Sequence, residues 1–319
     1  MLRRSLTATI APVLPRIVVI GGPTATGKTA LSVALAKAVG GEVVNADSTQ
    51  VYRGMDIGTA KPTAAEREGI PHHLFDIRDP DRQLSAAEWT RLADAAIADI
   101  AARGKVPLLT GGSGFYLRAL MYGLFEAPDV DPAVKARLDA AARTDEGFAA
   151  LRRRLEEVDP AAAAKIHPND RFRTVRALEI FESSGERMSD LHEKDASWKG
   201  EPRYPALVLG LNLPRELLYR RIDERQAAQV RAGLLDEYRA LLAKGYAPDL
   251  RLLNGLCYRH MRWVHEGTMT LDEAVRLDQR DNRRYAKRQL TWFKSMPGIR
   301  WFDARTDGDK ILAEVRAFL

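Results

Sequence analysis

A single cysteine, Cys257, serves 319 residues, which excludes an intramolecular disulfide and leaves no cysteine cluster to hold zinc. The six histidines are scattered, and His72-His73 has no nearby partner at ligand spacing, so a structural zinc site is not expected. No apolar run approaches the roughly 20 residues needed to cross a bilayer, and a cytoplasmic location is the expectation. Internal repeats and low-complexity tracts are missing too. The opening MLRRSLTATIAPVLP lacks any acid, as a targeting peptide would, but Pro12 and Pro15 break its apolar part and a strand follows at once. A short disordered arm is the better reading.

Positive charge is what the chain has in excess, with a net +6. Basic and acidic side chains number 14 and 11 in residues 1–120, 13 and 16 in 121–200, and 22 and 16 in 201–319. The excess lies in the two flanking thirds and implies a polyanionic partner. The length suggests about two domains.

Gly22–Thr29 reads GPTATGKT and fits G-x-x-x-x-G-K-[ST]. Arg16–Ile20 before it reads as a buried strand, and Thr29–Val39 after it as a helix with Leu31, Leu35 and Val39 at helical spacing. In that setting the loop of Gly22, Pro23, Thr24, Ala25, Thr26 and Gly27 turns its backbone N–H groups, which Pro23 alone lacks, inward around an anion. Lys28 would reach its outer phosphates, and Thr29 would hold Mg²⁺ through its hydroxyl. Further strands are expected at Glu42–Ala46 and Val106–Thr110. A helix is expected over Ala86–Arg103, opened by Ser85 with Glu88 at the capping-box position. This βαβα order implies a parallel sheet covered by helices. From the linker Glu126–Pro132 to about Ser184 the sequence turns Ala-, Arg- and Glu-rich, and the next strand candidate is Ala206–Leu211. The expected fold is therefore α/β: a P-loop NTPase-like parallel sheet flanked by helices, formed by residues 1–124 and 201–319, with a helical insertion domain at 125–200.

Asp47 ends the second strand, where carboxyl ends face the ligand crevice; capping of the following Asp-Ser-Thr-Gln turn is the competing use. P-loop hydrolases commonly end a later apolar strand in an acid that organises Mg²⁺, whereas Leu108-Leu109-Thr110-Gly111-Gly112-Ser113 carries none. A transferase that consumes a di- or triphosphate fits better, with Asp47 as general base. Arg280, Arg283, Arg284, Lys287 and Arg288 fall on one helix face, interrupted only by Asp281, and suit RNA phosphates as well as plain solvation. A small-molecule or nucleotide kinase, or an RNA-binding protein with a vestigial loop, stays open on these features alone.

Six motifs together resemble the bacterial tRNA dimethylallyltransferases: GPTATGKT (22–29), DSTQVYRGMDIGTAKP (47–62), HLFDIRDP (73–80), GGSGFY (111–116), IHPND (166–170) and AKRQLTWF (286–293). The resemblance spans nearly the whole chain, and the 47–62 run is its most specific part. It implies transfer of a dimethylallyl group from dimethylallyl diphosphate to N6 of the adenosine 3′ to the anticodon, in tRNAs reading codons that begin with U. Such enzymes bind the diphosphate with Mg²⁺ in the phosphate loop and grip the anticodon arm; a monomer is expected. Asp47 matches the base, Ser113 a hydroxyl beside the reacting centre, and Arg225, with Arg221 as neighbour, an arginine near the diphosphate. Implied tRNA contacts are Asp47, Ser48, Thr49, Gln50, Ser113, Lys135, Phe172, Arg173, Thr174, Val175 and Arg176. Asn254, Gly255, Leu256, Cys257, Tyr258 and Arg259 form a further set. The chain departs from the family pattern at Ser113 (usually Thr), Lys135 (commonly Arg) and Cys257 (usually Gly).

Overall fold

A computed structural model describes residues 14–124, 128–194 and 200–319. Residues 1–13 of the expected N-terminal arm and the Glu126-Ala127 part of the linker lie outside these. Chain order runs β1 (Ile17–Gly21), α1 (Lys28–Val39), β2 (Gly41–Asn45), α2 (Ala64–Arg67), β3 (His72–His73), α3 (Ala86–Ala102), β4 (Val106–Thr110) and α4 (Gly114–Tyr122). Then come α5 (Pro132–Ala141), α6 (Asp145–Val158), α7 (Pro160–Lys165), α8 (Arg171–Ser184) and α9 (Met188–Lys194). The chain closes with β5 (Ala206–Asn212), α10 (Arg215–Arg231), α11 (Leu234–Ala243), α12 (Tyr258–His265), α13 (Leu271–Lys294), β6 (Arg300–Asp303) and α14 (Gly308–Phe318).

Six strands form one parallel sheet in the order β3-β2-β4-β1-β5-β6. Every residue of β1 is buried, as a central strand covered on both faces requires. On one face Leu35 and Ala36 of α1 and Ile311 and Val315 of α14 pack over Val18, Ile20, Leu108 and Leu209. Elsewhere in the core Trp89 of α3 is fully buried, donates to Asn45 O at 3.0 Å and stacks on Tyr116. Strand order reverses at β1, whose neighbours are β4 and β5, so a crevice opens at its carboxyl end.

The described residues fall into two compact units, one built from the chain up to Met121 with Pro202–Leu319, the other from Tyr122–Glu201. The second unit holds α5–α9 around Leu138, Leu151, Leu155, Val175 and Leu178. Its buried Asp159 caps α7 through Ala162 N and reaches Ser189 N, each at 2.9 Å.

Two local features differ from expectation. Ser85 accepts from Glu88 N at 3.1 Å, but the Glu88 carboxylate turns to Arg78, so only half of the capping box forms. The two short strands β3 and β6 carry no sequence alternation long enough to signal them; each exists because it adds to an edge of the sheet. No helix among the described residues is long and apolar enough to cross a membrane.

Candidate active site

The phosphate loop leaves β1 at Gly22, whose φ is +138° and whose Cβ, if present, would meet Leu211 O at 2.4 Å. Thr26 closes the loop by donating to Pro23 O at 2.8 Å. Gly27, in the left-handed region, starts α1 without a side-chain cap, so the first N–H groups of that helix stay available to an anion. Lys28 folds back over the loop, with Nζ donating to Gly22 O at 3.0 Å and Pro23 O at 2.7 Å. Burial is the main force that lowers its pKa, to about 8, with the Asp47 carboxylate opposing and the Arg225 guanidinium adding to the shift. Thr29 follows in the first turn of α1, half-buried.

The acceptor side is assembled by two strand ends. The β2–β4 ladder continues past both strands, through Ala46 N to Thr110 O at 2.8 Å and Ser113 N to Ala46 O at 3.1 Å. This sets the residues after β2 against the turn after β4. Ser113 Oγ accepts from Ser48 N at 2.8 Å and donates to Ser48 Oγ at 3.0 Å. Asp47 Oδ1 accepts from Thr49 N at 2.9 Å and from Thr49 Oγ1 at 2.7 Å. The turn-capping use is therefore real, but it occupies one oxygen; Oδ2 lies toward Gly112, 3.5 Å from where a Cβ on that residue would stand.

Arg225, from α10, reaches the loop by donating Nη2 to Thr24 Oγ1 at 2.6 Å, while its buried Nε has no hydrogen-bond partner. Arg221 instead adds its charge near Asp303. Burial lowers the Arg225 pKa, with Asp47 among the charges that oppose this. Tyr285 of α13 completes the surroundings: burial first, then the Asp47 charge, raises its phenol. Lys28, Arg225, Tyr285 and Asp47 are thus close enough to feel one another's charge.

The remaining expected residues divide by exposure. Gln50 spends its amide on Thr59 O and Ala60 O, each at 3.0 Å, and so ties down its own loop. Cys257 and Tyr258 are buried, and Tyr258 donates to Glu237 at 2.6 Å; Asn254, Gly255, Leu256 and Arg259 keep exposed surface. Cys257 sits at φ +67°, a backbone conformation that favours glycine. Arg259 is paired with Asp281 at 2.8 Å.

On α13, Arg283 makes two bonds to Asp223, at 2.6 and 2.7 Å, and Arg280 and Arg284 both face Asp281. Lys287 and Arg288 have no carboxylate partner among the described residues. In the helical unit Thr174 and Val175 are buried, while Phe172 is 64% exposed beside Arg173, which pairs with Asp170. Lys135, Phe172 and Arg176 line a crevice of about 150 Å³. Sequence reasoning missed Gln289, Tyr285 and Glu237 as groups around the site; for Gln289 the signal available was the helical spacing 282, 286, 289 and 293, the buried face of α13.

A phosphate loop at the switch point of a parallel sheet, faced by a lysine, an arginine and a carboxylate, defines a P-loop protein that handles an anionic phosphate substrate. A family model described as IPP transferase matches residues 50–296, a span that begins beyond the phosphate loop. The tRNA dimethylallyltransferase of Geobacter sulfurreducens is 49% identical over 296 residues, 93% of this chain and 94% of that one. That of Anaeromyxobacter dehalogenans is 50% identical over 303 residues, covering 94% and 99%. The tRNA isopentenylpyrophosphate transferase structure from Bacillus halodurans matches with a TM-score of 0.69 and 41% identity over 95% of each chain. A eukaryotic dimethylallyltransferase captured acting on tRNA gives 0.76 and 29%, over 95% of this chain and 77% of its own. The chain belongs to the IPP transferase family, that of the tRNA dimethylallyltransferases.

Proposed function

We propose that this chain joins the dimethylallyl group of dimethylallyl diphosphate to N6 of the adenosine 3′ to the anticodon in tRNAs that read codons beginning with U. The observation that carries this reading is that the Asp47 carboxylate acts through its charge on both Lys28 of the phosphate loop and Arg225, which reaches that loop from α10 through Thr24. The residue after Asp47, Ser48, is bonded to the Ser113 hydroxyl. In the reaction the C1–O bond of the donor breaks, diphosphate leaves, and C1 bonds to N6. The N6 proton passes to Asp47 Oδ2. Ser113, held by Ser48, orients the amine.

Lys28, Arg225 and the uncapped N–H groups of α1 stabilise the departing diphosphate. The hydroxyl of Thr29 is a hard oxygen donor at the mouth of the loop, and the described residues contain no group of three or more His, Cys, Asp or Glu able to cage a metal. This donor set fits Mg²⁺ shared with diphosphate oxygens rather than an all-protein site. Bound there, the ion would neutralise charge building on the leaving group. The adenosine must leave the anticodon-loop stack, at a few kcal/mol. Exposed Phe172 and Arg173 in the helical unit, and Lys287 and Arg288 on α13, are the groups assigned to gripping the RNA.

Purified protein with labelled dimethylallyl diphosphate, Mg²⁺ and either tRNA or AMP tests the reading. Label in tRNA as N6-(dimethylallyl)adenosine is expected. Label in AMP alone, or phosphate release from ATP without RNA, would sink it.

A further inference from the structure

One buried amide touches both halves of the site. Gln289 of α13 is 6% exposed, and each end of its side chain is used: Oε1 accepts from Thr24 N at 2.9 Å, and Nε2 donates to Gly112 O at 3.0 Å. Thr24 belongs to the phosphate loop; Gly112 precedes Ser113 and borders Asp47 Oδ2. The bond depends on the missing side chain at residue 112, since a Cβ there would stand 2.3 Å from Gln289 Nε2 and push the amide away. The same helix seats Phe293 against Gly21 and Trp292 against Gly114, which fixes its position on the sheet end. Thr24 is held from a second side by Arg225, and α10, which supplies Arg225, is fastened to α13 through Arg283–Asp223 and Gln279 Nε2 to Asp223 O at 3.2 Å. A buried amide with both ends satisfied is a rigid connector.

We propose that Gln289 is a positioning residue for prenyl transfer: it sets the separation between the phosphate loop that holds the donor and the turn that carries Ser113 and borders Asp47. The inference rests on the donor and acceptor reading given above. Gln289 touches neither substrate in this scheme. Thr24 N–H is committed to Gln289, while the N–H groups at the start of α1 stay free for the diphosphate. Loss of the amide therefore leaves both substrates bound but shifts one loop against the other. A displacement of about 1 Å between reacting groups can lower a rate by about 10²-fold. A core amide that served only packing would lower thermal stability without a step-specific effect.

Gln289→Met keeps the volume and removes both bonds. The single-turnover rate constant at saturating dimethylallyl diphosphate and tRNA should fall by about tenfold or more, with both substrate affinities within about threefold of wild type. Gly112→Ala attacks the same bridge from the other side, displacing Nε2 while leaving Gln289 in the sequence, and should give the same signature. The double variant should be no slower than the slower single, since both break one connection. If Gln289→Met does not fold, Gln289→Glu carries the same expectation, because it sets an oxygen against Gly112 O. Rates near wild type in the folded variants, additive losses in the double variant, or loss of substrate affinity that accounts for the fall would overturn the proposal. Failure of the wild type to prenylate tRNA would instead strike the reaction itself.

Discussion

Asp47 and Lys28 carry opposite demands on protonation, and each makes a separate prediction. Asp47 spends Oδ1 on Thr49 and, in the proposed mechanism, offers Oδ2 to the acceptor, so Asp47→Asn preserves the turn through its remaining carbonyl while removing the proposed base. Turnover should fall by about 10²-fold or more, with tRNA affinity little changed; near-normal turnover would take Asp47 out of the mechanism. Lys28 bears on pH. Its pKa is lowered to about 8 from an ordinary 10.5, so between those values the folded protein has released a proton that the unfolded chain still holds. Stability of the free enzyme therefore rises with pH across that window as far as Lys28 is concerned. Donor affinity moves the other way, because the ammonium is what meets the phosphates. At pH 9 only about one tenth of Lys28 is charged, so affinity should be about tenfold weaker than at pH 7. Titrating donor binding from pH 7 to 9.5, in wild type and Lys28→Met, checks this: the wild type should bend near pH 8 and the variant should stay flat.

Among the elements, the backbone N–H groups of residues 56–58 in the 47–62 loop all meet a single carboxylate from α11. Glu237 Oε2 accepts from Asp56 N at 2.9 Å and Ile57 N at 2.7 Å, and Oε1 accepts from Gly58 N at 3.0 Å and Tyr258 at 2.6 Å. Glu237→Gln would set an amide NH₂ against backbone donors, at a cost of about 1–3 kcal/mol. The melting temperature should drop by several degrees, and limited proteolysis should open the chain near residues 54–60, while donor binding without tRNA holds. No sequence pattern announces such a connection, since the partners lie about 180 residues apart. Local signals were readable where the chemistry is local: the phosphate loop between β1 and α1, β4 at Val106–Thr110, the Ser85 start of α3. Asp47 beside Ser113 was legible only through the family motifs, because strand pairing between β2 and β4 is what unites them. The basic face of α13 was visible as a helical stripe, but which cations were already spoken for was not. That depends on Asp223, which reaches Arg283 from another helix.

Over the whole molecule, formal charge overstates what a polyanion can use. The chain carries 49 basic side chains, yet on α13 Arg280, Arg283 and Arg284 already face Asp281 or Asp223. Among the five cations of the 280–288 face, exposed charge without a carboxylate partner among the described residues narrows to Lys287 and Arg288, the latter also over the Tyr285 ring. These two are the groups expected to meet tRNA phosphates, whereas Arg283 is expected to hold α10 against α13. Lys287→Gln with Arg288→Gln should weaken tRNA binding and reduce the magnitude of its log–log salt slope by about 1–2, since each phosphate left unneutralised keeps its condensed counterion. Arg283→Gln should leave the slope nearly unchanged but lower the melting temperature, because it strands Asp223 without its partner. Donor binding should survive in the double variant, since the phosphate loop and Arg225 are untouched. Affinity measured at several salt concentrations, beside thermal melting, separates the two outcomes. A slope that changes with Arg283 and not with Lys287 and Arg288 would reverse the assignment, placing the RNA on the face now read as the helix–helix joint.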